Sequence, residues 1–259
     1  MKTRISEAFR KLHARGKKAF IPYIMAGDPS LEETRAIVRL FEDCGADVVE
    51  LGVPFSDPLA DGPTIQRAAE RALSKGTTLR SVIALVSSLR EITQIPIVLM
   101  TYFNPVFRYG TGDFITDAKN AGIDGIIVPD LPPDEAAYLV HESRRHGLDT
   151  IFLLAPTSTE ERIKKVIKSS SGFVYYVSIT GITGANLLLD GTMEKAIARI
   201  RSHTKKPVAV GFGVSTPRDA ARIAGLADGV IIGSAIVKRL QESPDTLKDY
   251  LIRLREAIA

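Results

Sequence analysis

Short apolar runs recur along the chain, separated by longer stretches in which apolar residues fall at helical spacing. FIPYIM at 20–25, DVVELG at 47–52, PIVLMT at 96–101, GIIVPD at 125–130, TIFLLA at 150–155, FVYYVS at 173–178, PVAVGFG at 207–213 and GVIIGS at 229–234 read as eight strands. Between them lie segments such as LEETRAIVRLFEDCGA and DEAAYLVHESRRHG, whose i, i+3, i+4 pattern predicts helices. Strands alternating with helices imply a parallel sheet. A weak internal repeat supports this regularity: CGADVVELG, AGIDGIIVPD and GLADGVIIGS each place a Gly and an Asp just before a strand. The Gly is expected to end the preceding helix and the Asp to start the turn. Eight such units in 259 residues match the size of a (β/α)8 barrel. The rival is a doubly wound open sheet, which would usually carry a Gly-rich dinucleotide turn after its first strand; AGDPS is not one. No linker divides residues 1–259, so one barrel domain is expected. The opening MKTRISEAFRKLHARGKKAF reads as an extra amphipathic helix ahead of it.

Composition changes this picture little. With 45% hydrophobic and 25% charged residues the chain is of ordinary globular type. A net charge of +4 suits an anionic small molecule, but Lys and Arg are scattered among acids. Without an arginine-rich arm or aromatic-interleaved basic stripe, nucleic acid is not an expected partner. The single cysteine, Cys44, rules out an intrachain disulfide and offers no zinc spacing. The N-terminus lacks the apolar core of a secretory signal, and a transit peptide would leave little room before the first strand. No apolar run approaches the ~20 residues that span a bilayer. A cytoplasmic protein is expected.

Candidate chemistry begins with Glu50, a carboxylate inside an apolar strand. Side chains alternate along a strand, so Val48, Glu50 and Gly52 share one face and Val49 and Leu51 the other. If the latter pair meets the helices, Glu50 points into the barrel. An unpaired carboxylate there costs several kcal/mol or takes up a proton, and a raised pKa suits acid/base catalysis near neutral pH. The alternative is a Glu held by a cation or by backbone amides. The strand runs contain no Lys or Arg, which weakens it. Asp61 follows in the loop after the same strand, where function in such barrels collects. Taken alone, its Asp-Gly context reads as turn chemistry.

A second signal lies near the C-terminus, where GFG at 211–213 and GSAIV at 233–237 follow the last two strands. Small residues let backbone N–H groups approach an anion, and a helix N-terminus favours negative charge. These loops are the recurrent phosphate site of this fold; otherwise the glycines only make tight turns. GITGAN at 181–186 could add a third wall. His13, His141, His146 and His203 fall in predicted helices, and no lysine stands at a strand end. Neither an imine mechanism nor a histidine-ligated metal is supported. Two carboxylates beside a phosphate pocket suit proton transfer.

ELGVPFSDPLADGPTIQ at 50–66, together with FIPYIMAGDP, NAGIDGIIVPDLP, YYVSITGITGA, GFGVSTP and DGVIIGSAIV, closely resembles the tryptophan synthase alpha chain family, over nearly the whole length. The resemblance implies a (β/α)8 barrel that cleaves indole-3-glycerol phosphate to indole and glyceraldehyde 3-phosphate. It implies no cofactor in this chain, and an α2β2 heterotetramer with a beta chain that carries pyridoxal phosphate. By position, Glu50 would be the acid/base and Asp61 the partner of the indole N–H. Tyr175 would lie near the glutamate, and Thr183 would orient Asp61 from a mobile loop. Gly184, Gly213, Gly233 and Ser234 would bind phosphate, and Tyr23, Met100, Phe212 and Ile232 would line the indole pocket. Asp57, Asn104 and Pro132 would face the beta chain. The loop after Gly184 departs from the family in reading ANLLLDG, as does Ile179, where some members carry Arg. Leu187 to Leu189 would pack on a partner, on the indole pocket or over the barrel mouth. Other readings are a binding module that activates a beta chain, another phosphate-binding barrel such as a sugar-phosphate isomerase or prenyl transferase, and a stand-alone lyase.

Overall fold

The computed structural model describes residues 3–177, 191–211 and 213–259. Nine parallel strands form one sheet: β1 Ala19–Met25, β2 Val49–Gly52, β3 Ile97–Met100, β4 Gly125–Ile127, β5 Asp149–Ile151, β6 Leu153–Leu154, β7 Val174–Val177, β8 Val208–Gly211 and β9 Gly229–Ile232. Their order is β5-β4-β3-β2-β1-β9-β8-β7-β6. Its two ends, β5 and β6, are separated in sequence only by Phe152, so one stretch of chain pairs with β4 on one side and β7 on the other. The sheet thereby closes into a (β/α)8 barrel. The run predicted at 150–155 is one barrel strand interrupted at Phe152, whose carbonyl accepts the Tyr175 N–H at 3.2 Å.

Several predicted strands overrun the observed ends, those at 125–130 and 229–234 among them. After Ile127 the chain turns away through Val128 and Pro129, which has no N–H to give a ladder. After Ile232 it enters the helix Ser234–Glu242 through Gly233. Among the described residues, two helices follow a strand in three places where the simple repeat predicts one: Pro63–Ser74 with Leu79–Leu89, Phe103–Tyr109 with Thr111–Asn120, and Ser234–Glu242 with Leu247–Ile258. Among the described residues no helix is long and apolar enough to cross a membrane.

Strand alternation splits the core into two layers. Phe20, Ile24, Val49, Leu51, Ile97 and Leu99 face outward and pack with helix residues such as Val38, Phe41, Val82 and Val86. Ile21, Tyr23, Val98, Met100, Ile127, Ile151, Phe173, Tyr175, Ala209 and Ile231 fill the interior. The expected extra helix, Arg4–Ala14, stops the bottom of the barrel. It starts at a Thr3–Ser6 capping box and buries Ile5, Phe9 and Leu12, one turn or two apart. Phe9 meets Phe173 at 5.6 Å between ring centroids, and Phe173 meets Tyr175 at 6.5 Å, so aromatic contacts run from this plug toward the barrel mouth.

The repeat before the strands has a structural explanation beyond turn formation. Asp47, Asp124 and Asp228 each accept the N–H of a residue at the start of a neighbouring strand, Phe20, Ile97 and Val208 respectively, at 2.9 Å. Each also binds an arginine: Arg255 for Asp47, Arg4 and Arg90 for Asp124, and Arg201 for Asp228. The glycines behave less uniformly. Gly45 and Gly122 take the left-handed conformation expected after a helix, whereas Gly225 ends its helix at φ −65°. Asp124 is the most enclosed of the three carboxylates, 3% exposed. Truncating it would leave the Arg90 guanidinium buried against carbonyls without its countercharge. Asp124→Ala is therefore expected to destabilise the fold by about 3–5 kcal/mol, read from urea unfolding. A loss under about 1 kcal/mol would refute this account of the repeat.

Candidate functional site

Glu50 lies in β2 with Tyr23 of β1 and Val98 of β3 as its register neighbours, and it points into the barrel. It is 1% exposed, and its Oε2 has no hydrogen-bond partner among the described residues. Burial first, and then the neighbouring Asp61 charge, push its pKa up to about 8. The carboxyl is therefore predominantly protonated at neutral pH, poised to give a proton or take one. Asp61 follows the same strand, one residue before Gly62, the cap of helix Pro63–Ser74. It is half-buried, and Tyr102 Oη donates to its Oδ2 at 3.1 Å. Burial raises its pKa to about 6, against the opposing effect of that hydrogen bond. Among the described residues no lysine or arginine contributes to either shift, so none of them supplies the cation that a structural role for Glu50 would call for.

The two carboxylates open into one cavity, lined also by Tyr23, Met100, Tyr175, Gly213, Gly233 and Ser234. Both tyrosines are buried, which drives their hydroxyl pKa values well above the ordinary range and keeps them neutral. Each lies against a glycine of an adjacent strand. A Cβ on Gly52 would stand 2.1 Å from the Tyr23 hydroxyl oxygen, and one on Gly211 2.4 Å from that of Tyr175. Strand-end glycines thus make room for rings as well as for turns.

On the far wall, helix Ser234–Glu242 begins at Gly233, with no side-chain cap and no acidic residue in its first turn. Its leading N–H groups therefore meet no carboxylate of their own helix, unlike those of Pro217–Ala224, which a Thr216–Asp219 capping box satisfies. Gly213, at φ +76°, turns the chain after β8 along the same cavity. Small residues, an open helix N-terminus and its dipole make a cradle for an anion.

Of the residues expected at the site, Glu50, Asp61, Tyr23, Met100, Tyr175, Gly213, Gly233 and Ser234 come together. Thr183, Gly184 and Phe212 lie outside the described residues, as do Ile179 and Leu187 to Leu189. Ile232 is a correction. It faces outward into the layer beneath the helices, and Ile231 takes the place in the cavity, because alternation puts Gly229, Ile231 and Gly233 on the inner face. His203 also differs from expectation, lying just past the end of helix Thr192–Arg201. Gly62, Thr64, Ile65 and Val214 line the cavity without having been expected. Strand alternation could have revealed Ile231; helix periodicity after Asp61 could have revealed Ile65. Asp57 and Asn104 are exposed and Pro132 is half-buried, on the segments after β2, β3 and β4, away from the cavity. Among the described residues no group of three or more His, Cys, Asp or Glu could hold a metal.

Paired carboxylates and an anion cradle at the C-terminal mouth of a (β/α)8 barrel define an acid/base enzyme of phosphorylated substrates. Comparison with known proteins narrows this. A family model described as "Tryptophan synthase alpha chain" matches residues 9–259. The tryptophan synthase alpha chain of Geotalea uraniireducens (strain Rf4) is 51% identical over 250 residues, covering 96% of this chain and 94% of that one. A Mycobacterium tuberculosis tryptophan synthase structure superposes with a TM-score of 0.93 at 40% identity, covering 100% of this chain and 99% of the other. The Legionella pneumophila alpha subunit (strain Paris) gives 0.91 at 37% identity, with 100% and 99% covered. The chain belongs to the tryptophan synthase alpha chain family. It is accordingly a lyase of tryptophan biosynthesis, the subunit that cleaves indole-3-glycerol phosphate. In this family the alpha chain is the cofactor-free subunit and works with a beta chain in a heterotetramer.

Proposed function

We propose that Glu50 is the acid/base of the cleavage and Asp61 the group that holds the charge developing on the indole nitrogen. The observation that carries this reading is the buried Glu50 carboxyl, unpartnered at Oε2 among the described residues, sharing a cavity with Asp61 and an open helix N-terminus. Protonated Glu50 gives its proton to indole C3, and the ring nitrogen becomes a cationic N–H that Asp61 accepts. Glu50, now ionised, takes the proton of the glycerol hydroxyl nearest the ring. That oxygen forms the aldehyde C=O, the bond between C3 and the glycerol carbon breaks, and its electron pair returns to the indole ring. Glu50 ends protonated, so no proton is gained or lost overall. The indole ring acts as electron sink, so the step calls for no lysine imine. Gly213, Gly233 and Ser234 hold the phosphate, joined by Gly184. Tyr23, Met100, Tyr175, Phe212 and Ile231 surround the indole, and Thr183 orients Asp61.

The beta chain docks, in this reading, on the rim formed by Asp57, Asn104 and Pro132. Support comes from Leu59, Phe107 and Tyr138, apolar side chains 92%, 68% and 60% exposed on those same three segments. Strands β2, β3 and β4 are consecutive in the sheet, so the segments lie side by side. Exposed apolar groups gathered in this way mark interaction surfaces. Residues 1–259 then act as one barrel domain, in the cytoplasm. The test is indole release from indole-3-glycerol phosphate by the purified chain, with and without excess beta chain. Measurable turnover, strongly stimulated by the beta chain, is expected. Fast release without stimulation would favour a stand-alone lyase, and silence in both assays would overturn the assignment.

A further inference from the structure

Asp61 sits on a loop, and its usefulness depends on what holds it. The chain leaves β2 pinned by the Val53 N–H to the Met100 carbonyl at 2.8 Å and rejoins regular structure at helix Pro63–Ser74. Between those anchors the loop's own bonds are local: the Asp61 N–H reaches the Pro58 carbonyl at 3.0 Å, and Gln66 Nε2 reaches the Asp61 carbonyl at 2.8 Å. Among the described residues, one side chain ties the segment to the barrel wall. Tyr102 Oη accepts the Ala60 N–H at 3.0 Å and donates to Asp61 Oδ2 at 3.1 Å.

Tyr102 is itself fixed from several sides. It follows β3, where the Thr101 N–H bonds the Ile127 carbonyl at 3.0 Å, and it precedes helix Phe103–Tyr109, whose first N–H is held by both Asp130 carboxylate oxygens at 2.9 and 3.1 Å. Its ring lies 5.3 Å from that of Phe55 and is 4% exposed. The residue does not line the cavity, so it stands behind Asp61.

We infer that Tyr102 is a positioning residue, which aims the Asp61 carboxylate by holding its side chain and the preceding amide through a single hydroxyl. The inference rests on the role proposed above for Asp61. It makes the hydroxyl, and not the ring, the functional part, because Oη can accept one hydrogen bond while donating another. It also gives a readout that packing alone would not move. The hydrogen bond stabilises the ionised form of Asp61, so losing it should raise the pH at which Asp61 ionises. Among the described residues the Asp61 charge acts on Glu50 from β2, Tyr23 from β1 and Tyr175 from β7, and Asp130 acts on Tyr102; all are acids or tyrosines.

The test is the pH profile of kcat/KM for Tyr102→Phe in the complex with beta chain, beside Phe55→Leu and Asp61→Asn. Tyr102→Phe keeps the ring and is expected to lower kcat/KM about tenfold, chiefly through kcat, the order of one hydrogen bond to a charged group. Its acid limb should move to higher pH, a shift that the substrate's own phosphate, unchanged between variants, cannot produce. Phe55→Leu disturbs the ring contact but keeps the hydroxyl, and its acid limb should stay at the wild-type position. Added to Asp61→Asn, Tyr102→Phe should cost little more, since both act through one group. A wild-type profile for Tyr102→Phe, or a full tenfold further loss in the double variant, would overturn the inference and leave the role of Asp61 standing. Wild-type turnover in Asp61→Asn would instead overturn the role of Asp61.

Discussion

Glu50→Gln is expected to lower kcat by about 10²–10⁴-fold while leaving KM close to the wild-type value. The amide has the same shape and meets the same inward neighbours, Tyr23 and Val98, so the indole pocket keeps its walls. What it lacks is a proton that can leave for C3 and return from the hydroxyl. Turnover near the wild-type rate would show that another group moves the proton. The same variant has a stability signature. The pKa of Glu50 is raised from 4.5 to about 8, so the folded protein holds this proton more tightly than the unfolded chain does. The resulting stability is fully present below about pH 4.5 and is lost as pH rises through about 8. Compared with Glu50→Gln, which has nothing to titrate there, the wild type should lose on the order of a few kcal/mol between pH 5 and pH 9. Urea unfolding at the two pH values measures this. Equal pH dependence in both proteins would mean that Glu50 is not the buried acid described here.

Much of this arrangement was legible because barrel strands announce themselves. VVELG places one carboxylate among residues that all belong inside, and alternation alone chooses its face. The repeated Asp before three strands was visible too, but its purpose was not. Asp47, Asp124 and Asp228 bond strand N–H groups from 20 to 27 residues earlier in the chain, and no local turn rule looks that far. Tyr102 was missed for the same reason: 41 residues separate it from Asp61, and only the β2–β3 pairing brings them together. The outward face of Ile232 is legible in the sequence too, because Gly233 borders the cavity and neighbours in a strand face opposite ways. One of the doubled helices, Phe103–Tyr109, was hidden by its brevity, at only 7 residues.

Asp61→Asn should lower kcat/KM by about 10²–10³-fold, the scale of losing one preorganised electrostatic contact to developing charge. An amide can still meet the indole N–H through its oxygen but cannot neutralise the cation that forms once C3 is protonated. The pH profile separates this loss from a defect in binding. In the wild type, Asp61 must be ionised and Glu50 protonated in the free enzyme, so kcat/KM should rise through about pH 6 and fall through about pH 8. The sign of the change in the variant follows from the coupling between the two acids. Asp61's negative charge is one of the two causes that raise Glu50, so removing it makes Glu50 easier to ionise. The basic limb of Asp61→Asn should therefore move below pH 8, and any acid limb that remains should follow the substrate phosphate. A basic limb that stays fixed, or moves upward, would show that the two carboxylates do not act as a pair. Glu50 would then owe its raised pKa to burial alone, and Asp61 would have to be reassigned to the walls of the pocket.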